Sequence, residues 1–128
     1  MKRVLVVDDD IQLRPLLEQI LVREGYEVRT ASNGVEALAA LQAEFFDLMI
    51  TDIIMPEKEG LETISEIRRQ DLDIKIIAIS GGGRADAGTY LRLAKAQGAD
   101  RILIKPFERN EIIEAIEELL GEPASSQE

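Results

Sequence analysis

The sequence contains no cysteine and no histidine. The absence of cysteine excludes disulfide bonds and thiol nucleophiles, and the absence of histidine excludes imidazole acid–base catalysis and Ser-His-Asp triads. Zinc sites of the usual kind are excluded too, because cysteine and histidine supply most of their ligands. A metal bound by this chain would therefore be a hard cation held by oxygen, such as magnesium, manganese or calcium.

Basic residues are outnumbered by acidic ones, 15 to 25, which gives a net charge of −10. Because the basic residues are few and rarely clustered, we expect no binding to nucleic acid or to anionic membranes. The first apolar run ends at Asp8, too early for a signal peptide or a membrane span. We expect a cytoplasmic protein of one domain, residues 1–120, followed by a flexible tail, residues 121–128.

Apolar runs of strand length alternate with helical patterns along the chain. The runs cover residues 3–8, 26–31, 47–52, 74–80 and 101–105. The helical patterns cover Leu13 to Leu21 before Gly25, 34–44 after Asn33, 60–70, about 86–97 before Gly98, and Ile112 to Leu120 before Gly121. Three of the runs are continuously apolar, as in strands covered on both faces. This alternation predicts an α/β fold: one doubly wound (βα)5 domain with a five-stranded parallel sheet.

Polar side chains follow the carboxyl ends of four predicted strands, the edge at which open α/β sheets bind ligands. They are Asp8, Asp9 and Asp10, then Asp52, Ser80 and Lys105. We expect Asp10 to be the N-cap of the following helix. The other carboxylates would raise each other's pKa unless a divalent cation lay among them. A few oxygen ligands, with room for water and substrate, favour Mg²⁺ over calcium.

A magnesium ion, a lysine and a hydroxyl around one carboxylate are the groups that phosphoryl transfer requires. Asp52 would be the acceptor and would form an acyl phosphate. Lys105 would neutralise charge on the phosphoryl oxygens, and Ser80 could donate a hydrogen bond to them. Since the chain has no histidine, it cannot be its own phosphohistidine donor, so a separate donor must exist.

Four motifs in order, "VDDD", "DLMITDIIMPEKEG", "IAISGGG" and "ILIKPF", resemble those of the receiver domains of two-component response regulators. The resemblance covers roughly residues 2–120 and implies the CheY-like sheet order 2-1-3-4-5. It implies that Asp52 is the phosphoacceptor and Asp9 a direct magnesium ligand. Asp8 would help to hold the metal, often through water, and Ile54 would offer its backbone carbonyl.

The resemblance also implies a switch near the phosphoryl group. Ser80 matches the switch hydroxyl, Lys105 the lysine that pairs with the phosphoryl group, and Pro106 a cis proline that orients this lysine. Ile102 departs from the pattern, because the family commonly has an aromatic residue there. Coupling of the switch through a rotating aromatic ring is therefore not expected in this chain.

As partners, the resemblance implies a sensor histidine kinase or histidine phosphotransferase as donor, and a downstream protein effector. Gln12, Arg14 and Pro15, which we expect to be exposed beside the acids, would lie where the donor docks. The domain would assist only its own phosphorylation and dephosphorylation, and would not otherwise be an enzyme. Dimerisation of the phosphorylated form stays open.

Two other functions are compatible with parts of the pattern. "VVDDDI" also contains the D-x-D of haloacid-dehalogenase-like phosphatases, with Asp8 as nucleophile and Asp10 as acid–base. That family needs a cap or later acidic motifs, and only scattered glutamates follow Lys105. A flavodoxin-like cofactor binder is the third alternative, but an acidic first βα turn would repel a flavin phosphate.

Overall fold

The computed structural model describes residues 2–53, 60–70, 73–80, 92, 94–105 and 107–121. Its strands are β1 (Arg3–Val7), β2 (Glu27–Ala31), β3 (Leu48–Asp52), β4 (Lys75–Ser80) and β5 (Arg101–Ile104). Its helices are α1 (Leu13–Arg23), α2 (Gly34–Ala43), α3 (Gly60–Arg69), α4 (94–97) and α5 (Arg109–Leu120). Of the predicted helix at 86–97, residues 92 and 94–97 are described and are helical. Residues 122–128 of the predicted tail lie outside the described ranges.

All strands of the sheet are parallel, and their order is β2-β1-β3-β4-β5. This confirms both the predicted fold class and the order implied by the resemblance. The register pairs Val7 with Thr51, so the residues that follow them, Asp8 and Asp52, leave neighbouring strands side by side. The backbone topology alone therefore places Asp8 and Asp52 at the same edge of the sheet.

The sheet separates two apolar cores, because alternate residues of each strand point to opposite faces. On one face, strand residues including Leu5, Met49 and Ile76 pack with α2 and α3. On the other, Val6, Ile50, Ile77 and Ile79 pack with α1 and α5. Every residue of β3 is buried, which explains why Leu48, Met49 and Ile50 follow one another without polar alternation. Each fully buried isoleucine contributes about 1.5–3 kcal/mol to the driving force for folding.

The helix ends agree with the sequence pattern at two positions and differ at one. Gly25, just after α1, has a φ of 97°, which L side chains rarely adopt. Asn33 caps α2 by accepting a hydrogen bond from the Glu36 N–H at 2.9 Å. The N-cap of α1 is Gln12 and not Asp10 as expected. The reason is a preceding turn, across which the Asp10 carboxylate accepts the N–H groups of residues 12 and 13, at 2.8 and 3.1 Å.

A half-buried clamp joins the amino ends of β4 and β5, at the edge opposite the candidate acids. The Arg68 guanidinium donates to the backbone carbonyls of Ile74 (2.7 Å) and Gly98 (2.9 Å) and pairs with Asp100 at 3.0 Å. The same Asp100 oxygen accepts the Ile76 N–H at 2.8 Å. One arginine thus ties α3 to both strands.

Among the described residues, no helix is long and apolar enough to cross a membrane.

Candidate functional site

The carboxyl ends of β1, β3 and β5 bring together the acids and the lysine predicted from the sequence. The Lys105 ammonium lies 3.1 Å from Asp52 Oδ2 and 3.6 Å from Asp8 Oδ2. Its strand, β5, is separated from β3 by β4. The long lysine side chain therefore spans the end of β4 to reach the acids.

The acidic cluster consists of Asp8, Asp9 and Asp52. Each offers a carboxylate oxygen, and these oxygens all lie within 4.8 Å of one another. Asp8 is 1% exposed and Asp52 is 8% exposed, whereas Asp9 is open to solvent. Three carboxylates and the Lys105 ammonium carry a formal charge of −2, which a divalent cation would neutralise.

The Asp8 carboxylate is the most deeply placed of the three. Its Oδ1 accepts the Asp10 N–H at 2.9 Å, while its buried Oδ2 has no hydrogen-bond partner among the described residues. Burial raises the pKa of Asp8, and repulsion by Asp52 and Asp9 adds to it, against the lowering effects of the Asp10 N–H and Lys105. The Lys105 ammonium, at 3.6 Å, forms an ion pair with this oxygen but is too far away to donate a hydrogen bond, and a buried anionic oxygen without a hydrogen-bond donor is costly. A cation bound between the carboxylate oxygens of Asp8, Asp9 and Asp52 would compensate the charge of this buried oxygen, so the three residues fit a hard metal ion.

Lys105 is only 25% exposed, and two opposing effects act on it. Burial alone would lower its pKa, but the charges of Asp52 and Asp8 and the hydrogen bond to Asp52 outweigh burial and raise the pKa. The ammonium is therefore firmly protonated at neutral pH. It supplies the positive charge nearest to Asp52 within the described part of the chain.

Asp10 belongs to the helix start and not to the metal-ligand set. Its hydrogen bonds from the N–H groups of Gln12 and Leu13 lower its pKa. The carboxylate thus faces the helix and is stabilised there as an anion. This role differs from the acid–base role that a D-x-D phosphatase would assign to it.

Several predicted site features are described in part or not at all. Ser80 ends β4, and its Cα pairs with Ile104, the residue before Lys105, so its backbone lies at the site edge. The Ser80 side chain, Ile54 and Pro106 lie outside what the structure describes. Ile102, which replaces the usual aromatic, is half-buried and pairs with Ala78.

The Arg14 side chain is less exposed than the sequence predicts. It was expected to be exposed and to face a partner, but it is half-buried and its Nη1 donates to the Asp8 backbone carbonyl at 2.9 Å. The signal that could have revealed this is its position as the second residue of α1, shortly after the acids. From there a long side chain can fold back over the end of β1.

Comparison with known proteins gives one consistent result. The family model for the response regulator receiver domain matches residues 4–117. The transcriptional regulatory protein CpxR homolog of Haemophilus influenzae is 40% identical over 125 residues, 98% of this chain and 53% of that protein. The chemotaxis protein CheY of Thermotoga maritima is 38% identical over 116 residues, 90% of this chain and 94% of that protein. The chain thus spans about half the length of CpxR-like relatives and nearly all of CheY.

Solved structures agree with this assignment. The response regulator TrrA of Thermotoga maritima, in complex with Mg²⁺-BeF, superposes with a TM-score of 0.82 at 41% identity, covering 94% of this chain and 100% of that one. A putative response regulator of Chloroflexus aurantiacus gives 0.86 at 30% identity, covering 93% and 97%. None of this supports the phosphatase alternative. The order of the strands, the acids and lysine at their carboxyl ends and the match over residues 4–117 together show that the chain belongs to the CheY-like receiver domains of two-component response regulators.

Proposed function

We propose that Asp52 accepts a phosphoryl group from phosphohistidine on a partner protein, in a site that holds Mg²⁺. The observation that carries this proposal is the contact of Lys105 with Asp52 and Asp8 at the end of the sheet. This arrangement provides a nucleophile in Asp52, a fixed cation in Lys105 and carboxylate ligands for a second cation. Within the receiver family these are the groups that a phosphoacceptor needs.

In the proposed reaction, an oxygen of Asp52 attacks phosphorus and the phosphorus–nitrogen bond to the donor imidazole breaks. The electron pair of that bond leaves with the imidazole, and the product is an acyl phosphate on Asp52. Lys105, already 3.1 Å from the Asp52 carboxylate, would stay beside the phosphoryl oxygens and neutralise part of their charge. Ser80 is proposed as the switch hydroxyl that then bonds the phosphoryl group.

Asp8, Asp9 and Asp52 are proposed to hold the ion, with the backbone carbonyl of Ile54 as a further ligand by family resemblance. When bound, Mg²⁺ would supply positive charge to the phosphoryl oxygens and help to orient them. The buried Oδ2 of Asp8, which accepts no hydrogen bond among the described residues, and the proximity of the three carboxylates support this assignment. The complex of TrrA with Mg²⁺-BeF shows that a relative 41% identical in sequence binds magnesium.

The donor is proposed to be a histidine kinase or histidine phosphotransferase that docks on α1. Ile11, just before α1, is 77% exposed, Pro15 in the first turn is exposed, and Val22 near the carboxyl end of the helix is 55% exposed. Pro15 and Val22 are seven residues apart and so share a face of the helix. Apolar side chains there, next to a polar site, suit packing against a helical partner.

Phosphorylation is proposed to alter contacts with a downstream protein effector in the cytoplasm. The receiver domain is taken as residues 1–120, with 121–128 as a tail. The receiver domain of NtrC4, 34% identical to this chain, was solved as a beryllofluoride-activated dimer. A phosphorylation-dependent dimer of this chain is therefore part of the proposal.

Intact-mass measurement after incubation with acetyl phosphate tests the phosphoacceptor. We expect one added phosphoryl group in the presence of Mg²⁺ and none after its removal with a chelator. Asp52→Asn should abolish labelling, since it removes the attacking oxygen and its charge. Labelling that persists in Asp52→Asn but disappears in Asp8→Asn would instead identify Asp8 as the nucleophile and overturn the proposal.

A further inference from the structure

Arg14 holds the main chain of Asp8 from one side. Its Nη1 donates to the Asp8 carbonyl at 2.9 Å, and the Asp8 N–H donates to the carbonyl of Ala31 at 3.1 Å. Both backbone groups of Asp8 are therefore hydrogen-bonded, one to β2 and one to α1. The end of β1 has a fixed orientation that does not depend on any metal.

This orientation extends to Asp9, because the Asp8 carbonyl and the Asp9 N–H belong to one planar peptide group. Asp9 is exposed, so few packing contacts can direct its side chain. The N–H of Asp10 then donates back to Asp8 Oδ1 at 2.9 Å. The bond from Arg14 thus closes a short ring of contacts that sets where two of the proposed ligands begin.

The charge of Arg14 also acts on the start of α2. The pKa of Glu36 is lowered by hydrogen bonds from Ser32, at 2.8 Å from its N–H and 2.9 Å from its hydroxyl, and the charge of Arg14 lowers it further. Ser32 directly follows the residue that accepts the Asp8 N–H. Arg14 thus acts on residues that follow both β1 and β2, by its hydrogen bond to Asp8 and by its charge at Glu36.

We infer that Arg14 is a positioning residue of the magnesium site, which it serves by orienting the peptide between Asp8 and Asp9. This inference rests on the proposed function, and it goes beyond a role in partner docking. A positive charge close to a cation site should by itself weaken magnesium binding. A positioning role requires the opposite result, namely weaker binding when the arginine is removed.

The test compares Arg14→Met with Arg14→Lys and Arg23→Met by magnesium titration, followed by the NMR shifts of backbone amides. Met keeps the apolar stem but has no donor, and Arg23→Met makes the same change in charge at the exposed far end of α1. We expect Arg14→Met to weaken magnesium binding about 10-fold, as is typical for loss of a group that orients metal ligands. Arg14→Lys should recover much of the affinity, and Arg23→Met should match the wild type.

A second readout uses the metal-free protein. Hydrogen exchange at the Asp10 amide should become faster in Arg14→Met than in the wild type, while urea denaturation shows that both are folded. Unchanged or tighter magnesium binding in Arg14→Met would overturn the inference. Failure of the proposed function would look different, because the wild type itself would then take no phosphoryl group from acetyl phosphate with Mg²⁺ present.

Discussion

Replacing Asp8 by Asn should stabilise the metal-free protein. Asn keeps the shape of the side chain and a carbonyl oxygen for the Asp10 N–H, but it removes a charge that is 1% exposed. The new amide can also donate toward Asp52, whose carboxylate oxygen lies within 4.8 Å of that of Asp8. The substitution therefore removes an unfavourable charge without opening a cavity.

The size of the effect follows from three charge pairs. At an effective dielectric constant of about 20, the attraction of Lys105 at 3.6 Å is about 4.6 kcal/mol. Repulsion by Asp52 within 4.8 Å is at least about 3.5 kcal/mol, and exposed Asp9 adds a smaller, solvent-screened share. The pair energies nearly cancel, so the cost of burying the charge decides the sign. We expect a gain of about 1–2 kcal/mol, the usual scale of the desolvation penalty of a buried polar group.

Urea denaturation at pH 7 without divalent cations measures this gain, and Asp10→Asn is the matched control. The pKa of Asp10 is lowered by N–H donors, so its neutralisation should give no gain. Because the folded pKa of Asp8 is raised above its ordinary value of 3.8, its ionisation destabilises the fold as pH rises through the folded pKa. The advantage of Asp8→Asn should thus shrink on acidification. A variant less stable than the wild type at pH 7 would refute this reasoning.

Two further substitutions test packing away from the site. Tyr26 is 2% exposed, its hydroxyl has no hydrogen-bond partner among the described residues, and burial raises its pKa to about 12. In urea denaturation Tyr26→Phe should be neutral or stabilising by up to about 1 kcal/mol, with an advantage that grows as pH rises from about 10 toward 12; a clear loss would reveal a partner for the hydroxyl. Gly98→Ala should cost about 1–3 kcal/mol, because φ is +125° and the new Cβ would lie 2.7 Å from Cγ of Arg68. The control Gly121→Ala also has positive φ but meets no described atom within 4 Å, so its thermal midpoint should fall less, and equal losses would contradict the clash.

The fold could be predicted from the sequence because strand-length apolar runs, three of them continuous, alternate with helical patterns. The run that became β3 is buried at every residue, and Asp52 is its last member. The positions of Asp8, Asp9 and Lys105 followed from one rule, that parallel strands present their carboxyl ends at a common edge. The cluster could therefore be predicted without knowledge of side-chain geometry.

Contacts made by long side chains across the chain could not be predicted in the same way. Arg14 is half-buried and not exposed, because its side chain folds back to the Asp8 carbonyl, and the position of a residue on a helix does not show where a long side chain ends. Asp10 was expected at the N-cap because sequence preference does not locate a turn that delays the helix by two residues. Both errors concern the same short segment, where local hydrogen bonds decide the geometry.

The clamp of Arg68 and Asp100 has a mechanical consequence for Lys105. It fixes the amino ends of β4 and β5, and Asp100 is bonded through both its backbone N–H and its carboxylate to Ile76. β5 therefore cannot slide along β4 without breaking several hydrogen bonds at once. Movement of Lys105 at the other end would instead require β5 to rotate about Asp100, and only the four residues of the strand separate that point from Lys105.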